Sequence, residues 1–208
     1  MSYLKDNRAQ SGFTLIELMV VVVVSAILLA IAIPSYQSYV RKGHLAQAQQ
    51  EMLKLADQLE RHKAKNFSYK GFDIAHFYKD QAGVTVTAVN ANKQTVQLPF
   101  NVTNPNYELT VVGFYSVDEF QLDEHGEKTS QGMQVKTGLL TQNVSFDTAT
   151  MQDLFAVGNQ WAIKAETKKV GNYNLLINSL GMRCMNKNDL TKVTYTSCGA
   201  PEEGAESW

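Results

Sequence analysis

One apolar run, from Phe13 to Ile33, constrains the fold of this 208-residue chain more than any other feature. Its polar residues are Thr14, Glu17 and Ser25. As an α-helix rising 1.5 Å per residue, the run would be about 31 Å long, which matches the hydrocarbon thickness of a bilayer. Because no comparable run follows Tyr36, we expect a single membrane-spanning helix.

The polar segment MSYLKDNRAQSG precedes this run. A secretory signal peptide carries a small-residue cleavage site after its apolar region, and the PSYQSYVRKG that follows Ile33 lacks one. An uncleaved anchor is therefore the simplest alternative; it would keep the positive residues Lys5 and Arg8 inside and export the rest of the chain.

The helical pattern continues past Pro34 as an amphipathic segment. Its apolar residues recur every three or four positions and so share one helix face: Leu45, Ala48, Met52, Leu55 and Leu59. Since the pattern resumes directly after Pro34, the proline is expected to kink the helix rather than end it. The sequence predicts one helix from Phe13 to Lys65, apolar in its first half and amphipathic in its second.

Alternating segments follow from Asn66 onward and predict strands. They are GVTVTAVN, TVQLPF, YELTVVGFYSV, GMQVKTGLL and KVTYTSC, with QWAIKAETKKVGNYNLLINSLGMRCM forming two strands joined at residues 170–172. The polar tail APEEGAESW is expected to fray. The predicted class is α+β, a long N-terminal helix packed on an antiparallel sheet, with a sheet core of Trp161, Leu175, Leu176, Ile177 and Leu180. The strand order between residues 79 and 153 stays open.

The two cysteines, Cys184 and Cys198, lie in the part expected to be exported. An even number of cysteines in an oxidising compartment favours a disulfide, which would contribute about 3 kcal/mol by closing the loop between them. A pair of buried free thiols is the alternative. A metal site is not expected, because no histidine lies near the two cysteines in sequence.

The N-terminal segment GFTLIELMVVVVVSAILLAIAIPSYQSYVRKG is similar to the start of type IV pilins and pseudopilins. The family has a polar leader that ends in Gly, then Phe, Thr, Leu, a hydrophobic residue and Glu; here these are Gly12 to Glu17. Pro34 and the residues after it also match. The chain most resembles a PilE-type minor pilin of Gram-negative bacteria, made as a prepilin with a class III signal.

This resemblance implies a domain organisation and a maturation pathway. Residues 1–12 would be the leader, 13–35 the transmembrane and filament-core helix, 36–65 its amphipathic half, and 66–208 a globular antiparallel sheet domain with a C-terminal disulfide loop, together the type IV pilin fold. A prepilin peptidase would cut between Gly12 and Phe13 and methylate the new amine of Phe13. The subunit would first be an inner-membrane protein with a periplasmic C-terminal domain, and later part of an extracellular pilus fibre.

The same resemblance gives Glu17 and Pro34 roles in assembly. In the water-free core of a filament, the Glu17 carboxylate would pair with the Phe13 amine of a neighbouring subunit and so set the axial register. A glutamate that reaches the membrane edge without further consequence is the alternative. The implied partners are other pilin subunits, the prepilin peptidase, the inner-membrane assembly platform and, before assembly, membrane lipid.

Two further functions compete with that of a minor pilin. One is a pseudopilin of a type II secretion system, although the late cysteine pair favours a pilus. The other is a pilus-tip module that binds DNA or a surface through Lys164, Lys168, Lys169, Lys187 and Lys192. Ordinary solvated lysines are the alternative to that nucleic-acid interface, because Glu166 and Asp189 dilute the positive charge.

Enzymatic chemistry is not predicted. The four histidines are isolated, and no glycine-rich phosphate loop or paired metal motif is present, so we expect no catalytic residue, cofactor or metal. The acidic segment LDEHGEK, residues 122–128, lacks the alternating oxygen ligands of a calcium loop and is interpreted as a solvated turn. The formal net charge of -1 argues against a nucleic-acid binder that is basic overall. The resemblance implies a fibre that serves motility, adhesion or DNA uptake.

Overall fold

A computed structural model describes residues 13–122, 128–141, 152–187 and 191–208. Gly12 and the rest of the predicted leader lie outside the described residues, and so does most of the acidic segment 122–128. The chain divides into two compact units, and the division falls between Lys42 and Gly43.

Helix α1 runs without a break from Leu15 to Asn66, which confirms the predicted helix and its passage through Pro34. Thr14 caps the N-terminus of the helix, because its hydroxyl accepts a hydrogen bond of 3.3 Å from the Glu17 amide. By length and composition, α1 is the one helix in the described part of the chain that is able to cross a membrane, with a mean hydropathy of 3.0 in its apolar window.

An antiparallel sheet of eight strands forms from the described residues after the helix. The strands are β1 (Val89–Asn90), β2 (Thr95–Leu98), β3 (Tyr107–Leu122), β4 (Lys128–Gly138), β5 (Gln152–Thr167), β6 (Asn174–Asn178), β7 (Arg183–Asn186) and β8 (Ala205–Ser207). Their order is β1-β2-β3-β5-β6-β7-β8, and β4 pairs with β3 beyond the end of β2. Short 3₁₀ helices cover Ile74–His76 and Pro201–Glu203. The expected α+β class is confirmed.

The C-terminal half of α1 packs on one face of this sheet through the predicted stripe. Ala48, Met52, Leu55 and Leu59 are fully or almost fully buried. They join a cluster with residues from the inner face of the sheet: Val96, Leu109, Ile163, Leu175 and Ile177. Burying each large side chain contributes about 1.5–3 kcal/mol, so this contact is the main stabilising interaction between helix and sheet.

The opposite face of the sheet carries a second, smaller core. Because successive strand residues point to opposite faces, Leu176 lies here while Leu175 and Ile177 face the helix. Val193 and Cys198 cover Leu176 from the segment that follows β7. Cys184 on β7 and Cys198 form a disulfide with an S–S distance of 2.04 Å, which ties this covering segment to the sheet.

Two of the predicted strands are wrong. In GVTVTAVN, strand β1 covers just the last two residues, Val89 and Asn90. The start of the segment forms a turn instead, because the Asp80 side chain accepts hydrogen bonds from the amides of Ala82 and Val84. In KVTYTSC, the Thr194 hydroxyl accepts from the Ser197 amide and closes another local turn. In both segments, side-chain hydrogen bonds to nearby amides compete with the sheet.

The C-terminal region differs from the prediction in three further ways. The segment YNLLINSLGMRCM is two strands, β6 and β7, with a turn at residues 179–182. Leu180 lies in that turn and is 73% exposed, so it is not part of the core. The tail does not fray, since β8 pairs with β7 and the Trp208 indole donates a 3.0 Å hydrogen bond to the Cys184 carbonyl.

A bulge in β5 interrupts its pairing with β3 and fixes the segment that follows α1. The register passes from Gly113 opposite Trp161 to Tyr115 opposite Ala156, which leaves residues 157–160 without partners on β3. The Gly158 carbonyl there accepts hydrogen bonds from the Tyr69 amide at 2.8 Å and from the Ser68 hydroxyl at 3.2 Å. The bulge thus anchors the chain directly after the helix.

Close packing at Gly113 gives a stability prediction. A Cβ at this position would lie 2.3 Å from Cδ2 and 3.1 Å from Cγ of the buried Leu140 side chain. We expect Gly113→Ala to lower the free energy of unfolding by about 1–3 kcal/mol, as overpacked cores do. The measurement is chemical denaturation of the full chain in detergent micelles.

Gly43→Ala is the matched control. Gly43 is exposed within α1, and nothing lies within 4 Å of an added Cβ. Because alanine favours a helix interior over glycine, this variant should gain up to about 1 kcal/mol. Equal stability of the two variants would contradict the packing argument.

Candidate nucleic-acid interface

The N-terminal residues singled out by the sequence occupy the start of α1. Glu17 is exposed in the first turn, where a carboxylate interacts favourably with the helix dipole. Phe13 is 82% exposed, and the large apolar side chains after it, up to Ile33, are exposed as well. This apolar surface requires lipid or other apolar helices around it.

Three of the five predicted lysines form ion pairs with glutamates. The Lys164 ammonium lies 2.7 Å from Glu166, that of Lys168 lies 2.7 Å from Glu108, and that of Lys192 lies 2.6 Å from Glu203. The dilution by Glu166 that the sequence indicated is thus observed, and Glu108 and Glu203 add to it. These three lysines contribute less positive charge to the surface than the sequence suggested.

The structure brings three of the five lysines to one hollow. Lys168, Lys169 and Lys187 line a cavity of about 410 Å³ beside the loop between β5 and β6. Val170 projects from that loop and is 99% exposed. Lys164 and Lys192 do not line the hollow; Lys164 instead lies 5.0 Å from the ring centroid of Tyr195. The five predicted lysines therefore do not form one patch.

A second basic surface, which the sequence analysis missed, surrounds the C-terminal end of α1. We call it the helix-end patch and define it as Lys63, Lys65, Phe67, Tyr69 and Lys70. It belongs to the segment RHKAKNFSYK, residues 61–70, which contains four lysines and arginines and no acidic residue. That local imbalance is the signal that would have found it.

Backbone contacts hold the helix-end patch together. The Phe67 amide donates a 2.7 Å hydrogen bond to the Lys63 carbonyl and so ends the helix. Phe67 has a φ of 57°, in the left-handed region where a bulky side chain is rare. The chain then turns back, and the His62 ring nitrogen lies 3.1 Å from the Lys70 carbonyl oxygen. The chain on both sides of the turn is therefore in contact through His62 and Lys70.

Tyr69 anchors this turn to the core. Its hydroxyl donates a 2.7 Å hydrogen bond to the Glu60 carboxylate, and the Trp161 indole donates to the same oxygen at 3.1 Å. Burial of the phenol, reinforced by the hydrogen bond to Glu60, raises the pKa of Tyr69 to about 12. The Lys63 ammonium lies 4.7 Å from the centroid of the Tyr69 ring, a cation–π contact.

Two family models match the chain over adjoining residues. Residues 7–33 match the prokaryotic N-terminal methylation motif, and residues 34–130 match the family described as the type IV minor pilin ComP, DNA uptake sequence receptor. The chain belongs to the type IV pilin family. The methylation-motif match contains Gly12, Phe13 and Glu17, and the second match contains the whole helix-end patch.

Curated relatives of this pilin match it over short lengths. The fimbrial protein EcpC of Eikenella corrodens is 51% identical over 42 residues, which are 20% of this chain and 28% of that protein. The type IV major pilin protein PilE1 of Neisseria gonorrhoeae is 48% identical over 42 residues, 20% of this chain and 26% of that protein. Type II secretion system core protein G of Pseudomonas aeruginosa is 42% identical over 64 residues, 31% of this chain and 45% of that protein. The pilin thus spans less than half the length of these relatives, and no solved structure matches it.

The raised pKa of Tyr69 predicts a pH dependence of stability in this pilin. Because the folded state favours the neutral phenol, the Tyr69 contribution is present below the ordinary tyrosine pKa of about 10 and is lost as pH rises through about 12. We expect the free energy of unfolding to fall more steeply over this range in the native chain than in Tyr69→Phe. Denaturation at a series of pH values, together with the ultraviolet absorbance of the phenolate, measures both effects.

Other tyrosines titrate in both proteins, so the difference between them reports Tyr69 alone. The same slope in the native chain and in Tyr69→Phe would show that the buried hydrogen bond to Glu60 does not set the pH dependence.

Proposed function

We propose that this pilin is a subunit of a type IV pilus, most like a minor pilin, and that it acts in DNA uptake. The observation that carries the proposal is the match of residues 34–130 to a family described as a DNA uptake sequence receptor, directly after a methylation motif at 7–33. The long apolar start of α1 supports membrane anchoring before assembly. We ascribe no enzymatic activity to the chain, since pilins are structural proteins.

Maturation would follow the course that the resemblance implies. Prepilin peptidase would remove residues 1–12 by cutting between Gly12 and Phe13, and would methylate the Phe13 amine. Residues 13–35 would hold the subunit in the inner membrane, with residues 36–65 and the sheet domain 66–208 in the periplasm. The assembly platform would then transfer it into an extracellular fibre beside other pilin subunits.

Glu17 would act when the subunit leaves the membrane. It is the one ionisable side chain between Phe13 and Ile33, and its exposure in the isolated chain leaves it accessible to a neighbouring subunit. Pairing with the Phe13 amine of that neighbour would satisfy both charges in a core without water. Pro34 would lie at the C-terminal end of the segment 13–35 that packs against the helices of other subunits.

A pseudopilin of a type II secretion system is the second candidate, favoured by the likeness to core protein G. The match of residues 34–130 to a pilin family and the disulfide between Cys184 and Cys198 support the pilus instead.

Deletion and complementation test the proposed function. A strain that lacks the chain should lose uptake of added DNA, and the full chain supplied in trans should restore it. Intact-mass analysis of sheared filaments should find the subunit without residues 1–12 and with one added methyl group. Normal DNA uptake in the deletion strain, with secretion impaired instead, would favour the pseudopilin.

Substitution of Glu17 tests its assembly role. We expect Glu17→Leu to insert into the membrane normally but to enter filaments more than about a hundredfold less. The Phe13 amine of the neighbouring subunit would lose its partner, and an unpaired buried charge costs about 3–5 kcal/mol. Quantitative immunoblots of membranes and of sheared filaments measure the two quantities. Ser25→Ala, which changes another polar residue of the same run, should behave like the native chain. Native-level incorporation of Glu17→Leu would contradict the role.

A further inference from the structure

We propose that DNA binds at the helix-end patch, where the Phe67 ring stacks on a base and Lys63, Lys65 and Lys70 contact phosphates. This inference rests on the proposed role in DNA uptake and deepens it by placing the contact. It moves the expected interface from the lysines of residues 164–192 to the end of α1.

The conformation of Phe67 is the first observation. Its side chain is 87% exposed, although a phenylalanine ordinarily stabilises a fold by being buried. Its φ of 57° lies in a region that glycine and asparagine adopt far more readily. A residue that is both exposed and strained contributes little to folding, so strain of this kind points to a function outside the fold.

The charge around Phe67 is the second observation. In the described part of the chain, Lys164, Lys168 and Lys192 are paired with glutamates, whereas the lysines of the helix-end patch take part in no ion pair. Lys63 makes a cation–π contact with Tyr69, which leaves its charge in place. The patch therefore keeps the positive charge that a phosphate backbone requires.

The family match is the third observation. The residues matched to the DNA uptake sequence receptor family, 34–130, include all of the helix-end patch and none of the lysines at 164–192. The chemistry of the patch agrees with this position. Aromatic side chains bind nucleic acid by stacking on base faces, and neighbouring cations bind the phosphates.

Tyr69 would position the ring rather than touch DNA. It is buried, and its hydrogen bond to Glu60 together with the bond from its amide to the Gly158 carbonyl fixes the turn that presents Phe67. A ring held on a fixed turn loses less conformational freedom on binding than one on a mobile loop.

Fluorescence anisotropy with the full chain in detergent micelles tests the proposal. The probes are a labelled single strand of mixed sequence and its duplex, each titrated over a series of salt concentrations. Phe67→Asn removes the ring while tolerating the positive φ, and we expect it to weaken binding about 5- to 100-fold without changing the salt slope. Phe67→Trp should retain binding, and its added tryptophan fluorescence should be quenched by DNA.

Lysine variants separate the phosphate contacts from stacking. The double variant Lys65→Ala/Lys70→Ala removes two of the proposed phosphate contacts. It should reduce the slope of log affinity against log salt by between about one and two, since each phosphate contact contributes about one. Val170→Ala, which removes another exposed apolar side chain beside lysines, is the matched control and should bind like the native chain.

The outcomes distinguish the two levels of the argument. If Phe67→Asn binds each probe as tightly as the native chain does, the stacking contact is wrong, and the proposed function still stands. Loss of binding in Val170→Ala or Lys169→Ala, but not in Phe67→Asn, would move the site to the hollow beside β5. No binding by the native chain at low salt would contradict direct DNA contact altogether.

Discussion

Burial of one helix stripe on one sheet face is the interaction on which the globular unit depends. Ala48, Met52, Leu55 and Leu59 provide most of the contact that α1 makes with the sheet, and the strands present Ile163, Leu175 and Ile177 to them. An isolated helix end would be marginal in water, so this contact also keeps the last turns of α1 helical. The geometry of the helix-end patch follows from it, because the patch begins where those turns stop.

The helix was predictable because its signals are local. An apolar run and a stripe of residues three or four apart need no knowledge of the rest of the chain, and α1 begins and ends within two residues of the prediction. The long strands β3 and β5 were likewise visible as alternation. The segments GVTVTAVN and KVTYTSC alternate equally well, but Asp80 and Thr194 bond to nearby amides instead of leaving them to the sheet. Alternation identifies a segment that is able to form a strand; neighbouring hydrogen-bond acceptors decide whether it does.

Charge was harder to predict than hydrophobicity, because ion pairs join residues that are far apart in sequence. Glu108 lies on β3 and neutralises Lys168 after β5, and Glu203 reaches Lys192 from the 3₁₀ helix before β8. Counting lysines along the chain therefore overstated the basic surface at residues 164–192. The opposite error affected residues 61–70, which contain four lysines and arginines and no acid. Among the described residues Asp57 pairs with Arg61, and Glu60 accepts a hydrogen bond from Tyr69, whereas Lys63, Lys65 and Lys70 form no ion pair. The exposure of Phe67 had no signature in the sequence at all, since only the fold shows that the chain turns away from the core there.

The proposed function raises a different question about the start of α1, namely how one segment would be stable both in a membrane and in a filament. A helix satisfies its backbone hydrogen bonds internally, so a passage from lipid to a protein filament would leave the backbone unchanged. The apolar side chains are equally well solvated by lipid tails and by other apolar helices, which makes them nearly indifferent to the exchange. Between Phe13 and Ile33 the free energy of transfer must therefore depend mainly on the one ionisable side chain, Glu17. Near the membrane surface water is within reach of the carboxylate, whereas in a filament core its charge must be balanced by a partner. On the proposed role of Glu17, a single carboxylate would make assembly depend on register without weakening the anchor.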